Sequence, residues 1–297
     1  MTYFIQLLIT GFSVGCIYAL AALGFVLIYK SSRVINFAQG ELIAIGTFII
    51  FGFTVWLKIP IWISLIIALF LSYLLGLGIE RTFLRPMIGE PIISVIMVTI
   101  GLASLLSGLV FFTPFGTITS RFPSFLPDAP IRLGELIIRW EQLVGIGLTA
   151  IFLVALVWFF TRSTLGIAMR AVADDQMASL SVGVSVERVF GLAWAAAGMS
   201  ATAAGFVVGS LFGLEFASLT AIGLRVFPVV ILGGLDSIAG AVVGGIIIGL
   251  LEQFATGYLD PLIPGGGTGD VFPFIVLIVI LLIKPHGLFG TEEIERV

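Results

Sequence analysis

Charged residues are scarce in this chain. Lysine, arginine, aspartate and glutamate make up 10% of the 297 residues, hydrophobic residues make up 59%, and the mean hydropathy is +1.22. A soluble domain carries about 25% charged residues, because its surface must be hydrated. The composition therefore excludes an ordinary soluble protein and indicates one whose surface lies in lipid.

A backbone in lipid must satisfy its own hydrogen bonds, so it forms either helices or a closed barrel. Barrel strands alternate apolar and polar residues over about ten positions. Here the apolar runs are continuous, as in residues 65–75. We therefore predict an all-α integral membrane protein, a polytopic helical bundle that forms a single transmembrane domain over residues 1–297.

Cysteine, histidine and lysine are nearly absent. Cys16 is the single cysteine, which excludes an intramolecular disulfide, and the single histidine, His286, leaves no HExxH zinc motif. None of the three lysines, Lys30, Lys58 and Lys284, follows a glycine as in a phosphate-binding loop. No basic cluster suggests nucleic-acid binding. We predict no metal and no cofactor, and any ATP chemistry must belong to another chain.

Nine apolar segments are long enough to be considered as membrane spans. Some are short or interrupted by glycine, so the expected number is eight to ten, with broken or short helices. The segments are residues 4–29, 42–57, 61–79, 92–113, 141–160, 189–212, 216–233, 238–255 and 271–283.

The distribution of lysine and arginine predicts the orientation. With the N-terminus outside, nine of the fourteen cations lie in the cytoplasm, four lie outside, and Arg225 falls within a span. Cytoplasmic loops carry the excess of lysine and arginine. This places residues 162–188, called the charged segment below, in the cytoplasm, and residues 115–140 outside.

The charged segment has the features of a short helix. Arg170 and Asp174 are spaced i, i+4 and share one helix face, while Gly166 is expected before the helix and Gly183 after it. Such a helix between two spans is either a solvated connector or a handle for a soluble partner.

Three motifs resemble the permease subunits of the high-affinity branched-chain amino-acid ABC importer family. In chain order, the first is IYKSSRVINFAQGELIAIGTF at residues 28–48 and the second is the charged segment. The third comprises ILGGLDSIAGAVVGGIIIGLLE at residues 231–252 with the closing KPHGLFG at residues 284–290. They occur in the family's order and cover nearly the whole chain. Gln39 stands where the family often has histidine, which leaves the subgroup open.

The resemblance implies an ATP-driven importer subunit, not itself an enzyme, in a bacterial inner membrane that it crosses several times. It implies cytoplasmic ATPase subunits, a second homologous permease subunit, an external substrate-binding protein, and a branched-chain or neutral amino acid as substrate. Urea or a short amide is the alternative substrate. The residues that would couple to the ATPase are Gly166, Arg170, Ala171, Asp174, Asp175, Ala178 and Gly183.

Polar residues at membrane depth are costly and suggest function. The candidates for a translocation pathway are Asn36, Gln39, Glu41, Asp236 and Ser237. Asn36 and Asp236 are alternatively helix caps.

Two other charged residues, Glu215 and Arg225, are candidates for an ion pair at an interface.

A repeated pattern aligns residues 36–40 with residues 236–240, each before a helix rich in small residues. Paired segments of this kind occur in transporters built from internal repeats. An inverted repeat conflicts, however, with the span count, which puts both stretches on the cytoplasmic side. Glycines at a spacing of four, such as Gly205, Gly209 and Gly213, predict close helix packing.

The external segment, residues 115–140, contains LGELIIRW, which suggests a short interfacial helix ending near Trp140. Its role is either a cap over the span ends or a contact for a soluble donor protein.

Two other functional classes remain open. Residues 267–270 spell the GxGD pattern of aspartyl intramembrane proteases, with Asp260 or Asp236 as the second carboxylate, although neighbouring prolines and glycines favour an external turn. A secondary transporter or channel also fits the composition but leaves the charged segment unexplained.

Overall fold

The computed structural model describes residues 1–117, 119–123, 126–127, 129–174, 176–284 and 286–290. Within these ranges the chain forms eleven α-helices and one antiparallel hairpin. The helices are α1 (Thr2–Ser32), α2 (Gln39–Phe51), α3 (Ile61–Ile79), α4 (Ile92–Phe111), α5 (Trp140–Arg162), α6 (Thr164–Asp174), α7 (Gln176–Ser181), α8 (Val186–Phe212), α9 (Phe216–Gly233), α10 (Ile238–Tyr258) and α11 (Thr268–Ile283). The strands are β1 (Ile131–Leu133) and β2 (Leu136–Ile138).

Eight of these helices are long and apolar enough to cross a membrane, which confirms the predicted all-α class and the expected number of spans. Three of the eight continue past their α-helical part. Helix α2 adds a π-helical turn at Gly52–Trp56, α3 adds one at Glu80–Leu84 and a 3-10 turn at Arg85–Met87, and α10 is followed by a 3-10 turn at Asp260–Leu262. The ninth apolar segment forms α11. With 16 residues it is about 24 Å long, shorter than a hydrocarbon core of about 30 Å.

Helix α1 lies at the centre of the bundle. Of an 18-residue stretch of this helix, 94% is buried, whereas only 22% is buried in α4 and in α5. The helices that enclose α1 are α5, α8, α9 and α10. A helix that is apolar on every side must be surrounded by other helices or by lipid. Here protein surrounds α1, and α4 and α5 turn most of their surface outward.

The contact between α1 and α10 depends on glycine. A Cβ atom built on Gly249 would lie 2.3 Å from the backbone nitrogen of Gly15, and one on Gly245 would lie 2.7 Å from the nitrogen of Ala19. The same close approach occurs between α8 and α2, where a Cβ on Gly205 would lie 2.5 Å from the carbonyl oxygen of Ile43. The glycine spacing therefore does serve packing, because only hydrogen fits between these backbones.

Helix α2 begins in the interior of the bundle. A Cβ atom on Gly40, in its first turn, would lie 2.4 Å from the carbonyl oxygen of Thr220 in α9. Residues 34–38, which lead to α2, have irregular backbone that needs partners inside the protein. Asn36 Oδ1 accepts from the Ala38 amide at 3.0 Å, and the Thr99 hydroxyl lies 3.4 Å from the amide of Phe37.

The repeated pattern corresponds to two helix starts that both pack on α9. Gly40 at the start of α2 contacts Gly223, and Gly240 at the start of α10 contacts Gly233, the last residue of α9. These two contacts are about ten residues apart along α9, roughly 15 Å at 1.5 Å per residue. The two stretches therefore lie at different depths of the bundle. What they share is a helix start whose glycine packs closely on α9.

The external segment differs from expectation, because LGELIIRW does not form an interfacial helix. Strands β1 and β2 pair there as a hairpin, and α5 begins at Trp140. The side-chain amide of Gln6 in α1 donates to the Ile137 carbonyl at 2.8 Å and accepts from the Ile137 amide at 2.9 Å. In an extended strand the N–H and C=O groups of one residue are both available to a single glutamine side chain. Inside a helix these groups would be bonded to the helix backbone.

The glycine contact at the centre of the bundle generates a stability prediction. Gly249→Leu should lower the thermal unfolding midpoint in detergent, because overpacking costs about 1–3 kcal/mol and here the side chain meets backbone. Gly101→Leu in α4 is the matched control, since a Cβ there meets nothing within 4 Å. Equal midpoints for both variants and the unmodified protein would contradict the packing role.

The predicted orientation can be tested with two exposed residues separated by one span. Thr117 precedes α5 and Ser181 ends α7, and both side chains are exposed. In a Cys16→Ser background, Thr117→Cys should react with an impermeant maleimide in intact cells, and Ser181→Cys only after permeabilisation. Labelling of both positions in intact cells would show that the orientation is wrong.

Candidate functional site

The charged segment is helical on both sides of Asp175, which lies outside the described residues: α6 leads up to it and α7 continues after it, as expected for a helical segment between the two spans. Gly166 lies inside α6, not before it, because the Ser163 hydroxyl accepts from the Gly166 amide at 2.8 Å and starts the helix earlier. Gly183 does follow α7, with φ of 84°, a conformation that suits glycine.

Two of the predicted coupling residues attach α6 to the end of α5. A Cβ atom on Gly166 would lie 2.4 Å from the Phe159 carbonyl oxygen, so only glycine allows this approach. The half-buried Arg170 donates through its guanidinium to the carbonyl of Phe160. The last carbonyls of a helix lack partners within it, so Arg170 satisfies one of them and holds α6 in place.

The remaining predicted coupling residues are distributed along both helices. Ala171 is half-buried in α6, Asp174 is the last residue described before Asp175, and Ala178 is exposed in α7. Asp175 lies outside the described residues. The coupling role of these residues stays a prediction.

The charged segment exposes large apolar side chains on one side and buries others beneath it. Met169 and Val172 of α6 are each 1% exposed, which fixes the helix against the bundle. In contrast, Met177 is 75% exposed, Leu180 is 51% exposed, and Val182 is 79% exposed. The segment is thus anchored through α6 and presents an apolar surface through α7 and the turn after it.

An ion pair missed by sequence reasoning links the end of the charged segment to α3. Glu187, in the first turn of α8, lies 2.8 Å from Nη1 of Arg85, and Nη2 of Arg85 lies 3.0 Å from the buried carboxylate of Glu80. The signal in the sequence was Glu80 directly at the end of the apolar run 61–79, because a carboxylate buried there needs a cation. The link ties two separate parts of the chain at one end of the bundle.

Asn36 and Gln39, predicted to line a pathway, are fully buried and bond to one another. The side-chain amide of Asn36 donates to Gln39 Oε1 at 3.2 Å. Gln39 Nε2 in turn lies 3.5 Å from the carbonyl of Ala21 in α1. These contacts hold the irregular entry to α2, so both residues support the local structure.

Asp236 and Ser237 lie at the start of α10. The Ser237 hydroxyl accepts from the Gly240 amide at 3.0 Å and is therefore the helix cap, not Asp236. The Lys30 ammonium at the end of α1 donates to the backbone carbonyl of Asp236 at 2.9 Å. The structure thus separates this pair from the other pathway candidates.

Glu41 faces an open cavity, unlike Asn36 and Gln39. The cavity has a volume of about 690 Å³ and lies between α2, α4 and α9; we call it the Glu41 cavity. The Ser107 hydroxyl of α4 donates to Glu41 Oε1 at 3.3 Å. The lining residues are Phe37, Gly40, Glu41, Ile100, Ala103, Ser104, Ser107, Ala217, Thr220, Ala221, Gly223 and Leu224.

Arg225 belongs to a polar network within the bundle that joins four helices. Its guanidinium lies 2.5 Å from Asp270 of α11 and 3.8 Å from Glu252 of α10. The Tyr18 hydroxyl of α1 donates to Glu252 at 2.6 Å. Single charges within apolar runs are the sequence signal for such a network, since each needs an opposite charge nearby.

The expected pair of Glu215 with Arg225 is wrong. Glu215 precedes α9 and accepts from the hydroxyl of Ser218 one turn later, at 2.5 Å. Arg225 is two further turns along α9, and the acids of α10 and α11 reach it instead. The spacing of residues along α9 could not show that Arg225 pairs with acids on other helices.

The GxGD pattern at residues 267–270 is part of the start of α11. Asp270 pairs with Arg225, whereas Asp260 accepts from the amide of Thr268 at 2.8 Å and from the hydroxyl of the same residue. An aspartyl protease needs two carboxylates that share a proton. Here each acid has its own partner, which argues against that chemistry.

Residues 7–281 match the family model described as branched-chain amino acid transport system / permease component. The chain is 30% identical to the high-affinity branched-chain amino acid transport system permease protein LivH of Salmonella typhimurium, over 99% of this chain and 98% of that protein. It is 28% identical to the corresponding BraD protein of Pseudomonas aeruginosa, with the same coverage.

A solved structure shares the fold. PsaBC from Streptococcus pneumoniae in complex with Fab matches 96% of this chain and 93% of that chain, with a TM-score of 0.50 and 13% identity. At that identity the likeness concerns architecture alone. The family match, the relatives and the eight apolar spans agree on a multi-pass bacterial inner-membrane protein. The chain therefore belongs to the branched-chain amino acid transport system permease family.

Proposed function

We propose that this chain is a translocation subunit of an ATP-driven importer that carries branched-chain or other neutral amino acids. It would act with cytoplasmic ATPase subunits, a second homologous permease subunit and an external binding protein, and it would not itself hydrolyse ATP. The observation that carries the proposal is the charged segment, which is anchored to the bundle yet exposes Met177, Leu180 and Val182.

These side chains favour a handle over a solvated connector. Exposing apolar surface to water costs roughly 25 cal/mol per Å², and contiguous exposed apolar residues mark interaction sites. The anchors provided by Gly166 and Arg170 would transmit a displacement of α7 to α5, and the pair of Glu187 with Arg85 would transmit it to α3. A free connector needs neither feature.

The substrate class is favoured by the Glu41 cavity and by the relatives. The cavity has mostly apolar walls and few polar groups, which suits an aliphatic side chain better than urea. The two relatives reported above are named for branched-chain amino acids. A secondary transporter would leave the exposed apolar surface of α7 without a partner.

The ATPase contact generates a specific prediction. Leu180→Glu should insert normally but lose ATPase pull-down and ATP-dependent leucine uptake, because a carboxylate would be buried against an apolar partner surface. Burying an unpaired charge at an interface costs about 2–5 kcal/mol, which is a thirtyfold or larger loss of affinity.

The matched control is Leu262→Glu, which introduces the same charge at a residue that is 76% exposed on the opposite side of the membrane in the predicted orientation. This variant should keep ATPase pull-down at the level of the unmodified protein. Retention of both ATPase association and uptake by Leu180→Glu would show that the charged segment is only a connector.

A further inference from the structure

We infer that Glu41 receives the ammonium group of the transported amino acid within the Glu41 cavity. The inference rests on the proposed function and adds to it the residue that recognises one end of the substrate. It starts from the position of Glu41 in the first turn of α2, whose start packs against the middle of α9 at Thr220 and Gly223.

The charge of the cavity is the first argument. Glu41 is the single ionisable residue among the twelve lining residues, all of which are described. Its carboxylate is half-buried and accepts one hydrogen bond from Ser107, and no cation approaches it within the described ranges. A half-buried carboxylate without a cation is costly, so a cationic ligand group would be stabilised there.

The shape and chemistry of the walls are the second argument. Phe37, Ile100 and Leu224 provide apolar surface on three different elements around the carboxylate. Ser104 and Thr220 add neutral polar groups but no charge. An aliphatic amine fits this arrangement, because its ammonium group forms charge-assisted hydrogen bonds with Glu41 while its side chain contacts the walls.

The negative charge of Glu41 is compatible with its own helix. An acidic side chain in the first turn interacts favourably with the helix dipole. This interaction alone would explain the residue as a helix stabiliser. The experiment must therefore separate ligand recognition from helix stability.

Ligand protection of a cysteine provides the test. The assembled importer would be used without its binding protein. This chain would carry Cys16→Ser, and no other cysteine would be present. Ser104→Cys would then serve as an exposed reporter in the cavity. A small methanethiosulfonate reagent would label it with and without three probes. L-leucine carries both charged groups, 3-methylbutylamine carries only the ammonium, and 4-methylpentanoate carries only the carboxylate.

We expect L-leucine and 3-methylbutylamine to slow labelling, and 4-methylpentanoate to have no effect at the same concentration. Glu41→Gln should raise the amine concentration needed for protection at least about tenfold, as expected for loss of a charge-assisted bond. Glu41→Asp, which keeps the carboxylate, should restore part of the protection by the amine. Glu215→Gln, a glutamate outside the cavity, should change nothing, and a reporter at Ser181→Cys should not be protected.

Several results would overturn the inference. One is protection by 4-methylpentanoate but not by the amine, and another is unchanged protection in Glu41→Gln. A third is reduced recovery of the second permease subunit with Glu41→Gln, because that would make Glu41 an interface contact. ATP-dependent leucine uptake, measured with binding protein on the unmodified importer, separates the two proposals. Uptake without amine protection rejects this inference alone, whereas amine protection without uptake rejects the proposed function and leaves Glu41 as an amine-binding residue only.

Discussion

The close approach of α1 and α10 is the constraint on which the rest of the bundle depends. Gly15 and Gly249 bring the two backbones together where no side chain fits, so α1 can be enclosed by protein along most of its length. In lipid there is little hydrophobic force between helices, and close packing supplies the attraction instead. The same device, at Gly205, brings α2 against α8 and so places the start of α2 inside the bundle.

That interior start of α2 creates both the buried polar entry and the open cavity. Asn36 and Gln39 satisfy the irregular backbone and one another, and Glu41 is turned toward the space between α4 and α9. Three neighbouring polar residues therefore lie in two different environments. Burial separates them: two are completely enclosed, and the third borders a cavity large enough for an amino acid.

The charged segment shows how a polar loop gains a fixed position. Its first helix is held by Gly166 against Phe159 and by the Arg170 guanidinium on a terminal carbonyl of α5. Its exit is held by the pair of Glu187 with Arg85. Between these anchors, α7 exposes apolar side chains. A displacement of α7 would reach two spans, which is what coupling to a separate ATPase requires.

Composition and the length of the apolar runs were enough to predict a protein surrounded by lipid, its helical class and the positions of its spans. The sequence also identified glycines that pack, since a spacing of four repeats on one helix face. The pairing of side chains from different helices became visible only in the folded protein. Arg225 pairs with Asp270 and Glu252 across helices, and the expected interfacial helix after residue 115 is a hairpin bound by Gln6. Contacts between distant residues depend on how the helices pack, and local sequence spacing does not contain that geometry.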